Sequence, residues 1–307
     1  MKKAYFFIDD TIWVLRDITR ERPASLFDNP FLKMLKANHD KYGMKVQLNI
    51  FYRTDIYYGY DEFTLADVTD AYKAEWEANS DWLKLAFHAL QEFPDYPHLN
   101  ATYEDTLRLF NEIKTEVLRF AGEKSFAYEI CAHWAPVSLA ACRALHDSGV
   151  KLLHATYGKS SPYNEDPSSL PYGHAARLIR NRQPEARIYR STDRKEDIAC
   201  AICAQNHLEP EQAEHVLDNS KAIFDEASGL FFKTLGDITL NIYDYDKLDE
   251  VFASRLGREY IGICIHEQYF YPDYFAYQPD YADKIEKMCR ILTENGYTFI
   301  NGDKILD

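Results

Sequence analysis

No stretch of the 307 residues approaches the ~20 consecutive apolar residues of a membrane span. The start is equally short of a secretory leader. Only Ala4 to Ile8 are apolar before Asp9 and Asp10 break the run, against the roughly 7–15 apolar residues a leader carries. A cytoplasmic location is therefore expected. Positive charge is scarce: 35 Lys and Arg face 49 Asp and Glu, for a formal net charge of -14. With no Lys/Arg stripe to offset that balance, neither nucleic acid nor an anionic membrane is an expected partner. Six cysteines are too few for a disulfide framework in so long a chain. Cys200 and Cys203 form a single Cys-x-x-Cys, and no second pair completes a zinc site. With Cys131 and Cys264 they stand in apolar company, as buried thiols do. There is no internal repeat, no low-complexity tract and no glycine-rich phosphate loop.

What the chain does have is apolar residues in abundance, 46% of the total, which is enough for a large core. They fall into alternating strand and helix patterns. Residues 4–8, 45–52, 83–87, 126–130 and 151–154 read as short strands. Between them lie helices. After a loop that follows the first strand, Asn29 and Pro30 open one that Gly43 ends; residues 63–77 form another, and Thr102 opens a long one reaching Gly122. Residues 136–148 form a fourth. Residues 157–256 break the pattern, with a polar loop, a helix near Pro210 and a hairpin whose turn is Gly236-Asp237 between 230–235 and 238–243. Alternation resumes with a strand over 260–265, a helix over 280–295 closed by Gly296, and a last strand over 297–300. Strands that are nearly all apolar belong to parallel sheets buried on both faces. The expectation is one α/β domain over residues 1–307, a (β/α) barrel of roughly seven or eight strands elaborated around 157–256. An open doubly wound sheet is the runner-up.

The residues that follow the strands carry the functional signal. Asp9 and Asp10 follow the first strand and His88 the third. His133 and Trp134 follow the fourth, His154 ends the fifth, and His266-Glu267 follow the late strand. In a parallel barrel these ends meet on one face, where active sites form. Each residue also has a plain structural reading: a carboxylate capping the next segment, or a hydrogen-bonded core imidazole. His39, His146, His207 and His215 fall on helices or loops and read as structural. The aromatic run Tyr269-Phe270-Tyr271-Pro272, with Tyr274, Phe275 and Tyr277, would either stack on sugar rings or pack its loop against the barrel.

The segment Phe7-Ile8-Asp9-Asp10 resembles the Asp-Asp motif of polysaccharide deacetylases, and Ile261-Gly262-Ile263-Cys264-Ile265-His266 resembles that family's final strand ending in His. The resemblance implies a divergent member among the glycoside hydrolase/deacetylase barrels. Carried over, Asp9 is the general base, Asp10 a metal ligand and His266 the general acid. The family's pair of metal histidines maps onto His88 and His98, although these are ten residues apart rather than four. The family's Arg-x-Pro motif is absent, and Cys131-Ala132-His133-Trp134-Ala135-Pro136 stands in its place, so that His133 would replace either a ligand or a substrate contact, and either His98 or His133 would complete the metal site. Thr192-Asp193-Arg194 is a stand-in for the residues that orient the base. His133, Trp134, Glu267 and Tyr269 are expected to contact substrate.

The implied activity is a hydrolase acting on C–N bonds other than peptide bonds. It would deacetylate an N-acetylated carbohydrate or a related small acylated substrate with a divalent metal. Zinc suits such ligands, as do nickel, cobalt and iron. Two rivals stand beside it. A glycosidase would set Asp9 or Asp10 against Glu267 across a sugar. A non-catalytic barrel would bind a glycan without chemistry; a site with Asp10 and His88 but no third ligand would favour it.

Overall fold

The first strand, β1 (Lys2–Thr11), is buried along nearly its whole length because it lies inside a parallel sheet. β10 (Tyr260–His266) pairs with one side of it and β2 (Val46–Phe51) with the other, while β11 (Tyr297–Phe299) meets its first residues. The computed structural model describes residues 1–54, 62–93, 97–98, 100–134, 137–155, 222–234, 238–274 and 276–307. Its larger sheet runs β4 (Phe126–Ala127), β3 (Leu83–Ala89), β2, β1, β10, β9 (Ile238–Thr239). A smaller sheet runs β5 (Glu129–Ile130), β6 (Leu152–Ala155), β8 (Leu230–Thr234), β7 (Ile223–Asp225). Every pairing is parallel except β7 with β8.

Side chains alternate across β1, as the two-residue period of a strand requires. Ala4, Phe6 and Ile8 join the large core packed under the helices, while Tyr5 and Phe7 face a smaller group with Cys131, Leu152, Tyr260, Cys264 and Ile305. The Tyr5 ring stacks on His154 of β6 at 4.8 Å. β6 belongs to the smaller sheet, so this contact and the shared cluster with Leu152 pack the inner faces of the two sheets together. The two sheets therefore curl around a shared interior. Among the described residues, hydrogen bonds do not close that curl into a continuous cylinder. The ladder breaks between β4 and β5, and β8 and β9 are not paired.

The helices lie where the apolar spacing put them, with instructive exceptions. α2 (Pro30–Tyr42) opens on Asn29, whose side chain accepts from Phe31 and Leu32 N–H. α4 (Tyr103–Phe120) opens on Thr102 and buries Phe110, Ile113, Val117 and Phe120; each such side chain contributes about 1.5–3 kcal/mol. α5 (Leu139–Asp147) starts later than the sequence pattern suggested, at the Ser138 cap. α6 (Leu248–Ala253) lies in the elaborated region, and α7 (Tyr281–Glu294) precedes β11. The helix expected over 63–77 shrinks to α3 (Lys73–Ala78), because Thr64 and Asp67 close a separate turn as a capping box. α1 (Trp13–Glu21) stands where a loop was expected.

Among the described residues, the strands of the hairpin expected across Gly236-Asp237 do not pair with each other. β8 and β9 belong to different sheets, and β8 makes its antiparallel pairing with β7 instead. The turn itself lies outside the described residues, as do Thr192-Asp193-Arg194, Cys200, Cys203, His207, His215, Phe275 and the helix near Pro210. Cys131, Cys142, Cys264 and Cys289 are buried free thiols, as expected for the first and third. No helix among the described residues is long and apolar enough to cross a membrane.

Candidate metal centre

Neighbouring strand residues ordinarily point to opposite faces, yet Asp9 and Asp10 both reach one site. The register explains it. Ile8 lies opposite Leu48 and Thr11 opposite Ile50, so β1 carries an extra residue against β2. Asp10 takes up the slack with φ 60°, a left-handed conformation that aspartate tolerates better than most residues. The same device recurs in β3. Ile50 faces Phe87 and Phe51 faces Ala89, which leaves His88 as the extra residue. Bulges of this kind re-aim side chains beside active sites. Beyond β5, the His133 N–H donates to the His88 carbonyl at 3.3 Å, and Trp134 follows with φ 60°. A left-handed tryptophan is strained backbone, of the kind that gathers at functional sites.

Three donor atoms converge. Asp10 Oδ1 lies 3.1 Å from His88 Nε2 and 3.0 Å from His133 Nδ1, and the two imidazole nitrogens are 3.1 Å apart. Each ring's other nitrogen points at a backbone carbonyl: His88 Nδ1 at Cys131 O, 2.6 Å, and His133 Nε2 at Glu92 O, 2.8 Å. A carbonyl only accepts, so those nitrogens carry the protons. In the neutral rings, lone pairs of His88 Nε2, His133 Nδ1 and Asp10 Oδ1 therefore face one another, all buried. Such a group calls for positive charge at its centre, either a shared proton or a cation. Donors on one ion with bonds of about 2.1 Å stand at similar separations, and two imidazoles with a carboxylate suit zinc and its neighbours. The residues present thus fit a divalent metal.

Charge in the site is divided. Burial pushes the Asp10 carboxyl up, but His133, His266 and His88 outweigh it and hold Asp10 well below the usual range. Asp9 is pushed up to about 6 by burial and by Asp10, against His88 and the hydrogen bonds from Asn49 and Cys131. Burial holds His133 below the usual range. Burial also acts to lower His88, where Asp9 and Asp10 reverse it and raise its pKa.

Around the triad stand residues that the sequence did not single out. Asn49 Nδ2 donates to Asp9 Oδ1 at 2.6 Å, and Gln47 Nε2 donates to Asn49 Oδ1 at 2.7 Å. Asn241 Oδ1 lies 3.0 Å from His266 Nδ1, which leaves His266 Nε2 turned to the site, 4.0 Å from Asp10 Oδ2. Gln268 Nε2 donates to Asp10 Oδ2 at 2.8 Å and to Glu92 Oε2 at 3.3 Å. A signal existed for the pair on β2: Gln47 and Asn49 are amides inside a fully buried strand, where a polar group needs a partner.

Three expected site residues lie elsewhere. His98 is outside the donor cluster; its Nε2 meets the His88 carbonyl at 2.9 Å, and burial holds its pKa down to about 4. Glu267 gives both oxygens to the start of α1: Oε2 accepts from Ile12 N–H at 2.7 Å and Trp13 N–H at 2.8 Å, and Oε1 from Val14 N–H at 2.8 Å. Burial pushes that carboxyl up to about 7, although the three N–H donors hold it down. Tyr269 is 0% exposed and packs its ring edge-on to Tyr274 at 5.2 Å, so it has no face for a sugar. Trp134 is half-buried beside His133, at 5.6 Å between rings. His154 packs against Tyr5 and Phe7.

No family model matches the sequence, and no curated protein does. Among solved structures the chain is similar to a 4-alpha-glucanotransferase from Thermococcus litoralis, at 10% identity and a TM-score of 0.53, covering 99% of this chain and 40% of that one. It is also similar to a family 4 acetyl xylan esterase from Clostridium thermocellum solved with a cobalt ion, at 11% identity and a TM-score of 0.42, covering 99% and 90%. A third is a mutant of a CE4 family pseudoenzyme, at 9% identity and a TM-score of 0.42, covering 100% and 67%. The first likeness shows a shared fold, and this chain spans 40% of that protein's length.

Proposed function

We propose that the chain is a single-domain, metal-dependent hydrolase. It would remove an acyl group, acetyl foremost, from an N-acylated carbohydrate or a related amide. The observation that carries the reading is the convergence of Asp10 Oδ1, His88 Nε2 and His133 Nδ1 within about 3.1 Å of one another, with Asp9 beside them and hydrogen-bonded to Asn49. It is supported by the resemblance of the Asp-Asp and final His motifs to polysaccharide deacetylases. The curl of the two sheets supports a barrel of roughly seven or eight strands as the scaffold.

Asp10, His88 and His133 would hold the ion, zinc foremost, with nickel, cobalt or iron as other occupants. The chemistry it supplies is Lewis-acid polarisation of an acyl carbonyl and acidification of water. Asp9 works as the base. One oxygen is tied to Asn49, and a carboxyl pushed up to about 6 takes a proton and gives it back near neutral pH. His266 works as the acid. It acts in its doubly protonated form: Nδ1–H is donated to Asn241 Oδ1, and Nε2–H gives its proton to the leaving nitrogen, which leaves the neutral ring. Cys131 Sγ, 3.8 Å from Asp9 Oδ2, lines the base with a group that does not compete for charge.

The glycosidase reading loses its second carboxylate, because Glu267 is engaged by three backbone N–H groups. The non-catalytic reading rested on the want of a third ligand, and His133 offers one. The test is elemental analysis of protein purified without chelators or an affinity tag, wild type beside His88→Ala, followed by deacetylation assays with and without chelator. Near-stoichiometric metal that His88→Ala loses, with activity that chelation abolishes, is expected. A wild type that takes up no metal on titration overturns the reading.

A further inference from the structure

The side-chain amide of Gln268 is oriented by charge. Its Nε2 meets Asp10 Oδ2 at 2.8 Å and Glu92 Oε2 at 3.3 Å. Ionised carboxylates only accept, so the flipped amide would set oxygen against oxygen. With the nitrogen committed to the two acids, Oε1 points away from them and accepts no hydrogen bond from the described residues. Gln268 is 5% exposed, so this is a buried acceptor beside the donor triad. Groups of that kind are costly to leave without a donor, and a ligand that brings one is then bound selectively.

We infer that Gln268 is a specificity residue, and that its Oε1 accepts the N–H of the bound acyl group. The inference rests on the hydrolase reading and narrows it to amides in preference to esters. In a secondary amide the N–H points away from its own carbonyl oxygen. An acceptor for it must therefore stand a few ångströms back from whatever holds that oxygen. Gln268 is anchored at about that remove, on the Asp10 oxygen that lies outside the triad of Asp10 Oδ1, His88 Nε2 and His133 Nδ1. An ester has no hydrogen at that position and leaves Oε1 unpaired. The sequence offered no hint of this, since a glutamine two residues past a strand-end histidine reads as an ordinary polar loop residue.

A binding measurement tests the inference apart from turnover. Acetohydroxamate and its N-methyl analogue present the same two oxygens, and only the first has the N–H. Calorimetric titration of each into zinc-loaded wild type and Gln268→Met, with free zinc as reference, gives the preference due to the protein. Wild type should favour the N–H compound by about five- to tenfold beyond the preference of free zinc. Gln268→Met should lose that excess, and Gln268→Glu, which keeps an acceptor when protonated, should retain most of it. An equal excess in wild type and Gln268→Met overturns the inference. So does a wild-type preference no larger than that of free zinc, which needs no variant to fold. Zinc that fails to load at all defeats the hydrolase reading and this inference with it. Zinc that loads without an N–H preference defeats this inference alone.

Discussion

Glu267→Ala removes the acceptors of three buried backbone N–H groups at once: Ile12, Trp13 and Val14, at 2.7–2.8 Å. The N-cap position of α1 is Ile12, which has no side-chain acceptor, so the helix has no local substitute. A buried donor left unpaired costs about 1–3 kcal/mol. Three would cost roughly 3–9 kcal/mol if fully additive, and relaxation with water entry brings the expected loss to about 4 kcal/mol. That is a large part of a typical stability of about 5–15 kcal/mol. Glu267→Gln keeps an oxygen for Ile12 and Trp13 but turns an NH2 toward Val14 N–H, and should lose about 1–3 kcal/mol. The assay is urea unfolding followed by circular dichroism, with metal content measured on the same samples. At an m-value of about 3 kcal/mol/M, Glu267→Ala should shift the midpoint by about 1 M. A pH series adds a sign. Burial raises this carboxyl from 4.5 to about 7 in the folded state. Between those values the native protein holds a proton that the unfolded chain has released. Stability from this group therefore falls as pH rises through the window, by ~1.4 kcal/mol per pH unit at the steepest, and Glu267→Gln should remove that slope. A Glu267→Ala protein with the wild-type midpoint and no turnover would refute the reasoning, return Glu267 to the substrate and revive the glycosidase.

Four further outcomes are expected. His133→Ala should lose metal by elemental analysis, whereas His98→Ala should keep it and lose about 1–3 kcal/mol of stability from its buried hydrogen bond to the His88 carbonyl. Asp9→Asn should retain metal while deacetylation falls by about 10²–10⁴-fold; full activity would remove Asp9 from the base role. Wild-type turnover should rise as pH passes about 6, where Asp9 gives up its proton, and a flat profile through pH 5–7 would contradict that assignment. Gly122→Ala places a side chain at φ +84° against Glu77, and should cost about 1–2 kcal/mol in thermal or urea unfolding.

Some of this was legible in the sequence. The unbroken apolar runs at 4–8 and 260–265 marked strands buried on both faces, and β1 and β10 are neighbours in register from Lys3–Tyr260 to Asp9–His266. Parallel strands bring their C-terminal ends together, so Asp9, Asp10, His88 and His266 could be grouped before any contact was known. Local caps were equally readable, as Asn29 and Thr102 show, because a capping bond closes within three residues.

Tertiary structure alone decided the rest. Which histidine joins Asp10 and His88 depended on where a loop carries each ring, and the loop puts His133 in the cluster and turns His98 to a backbone carbonyl. The aim of Asp10 and His88 came from two register shifts between strands, which no single strand's pattern contains. The lone pairs of the two imidazoles were set by carbonyls of Cys131 and Glu92. α1 is capped by a carboxylate 255 residues further along the chain, which is why it read as loop and why Glu267 read as a substrate contact. Periodicity and capping are properties of neighbours along the chain and survive in a string of letters. The direction of a side chain's bond to a distant residue is settled only when the sheets curl and bring the two together.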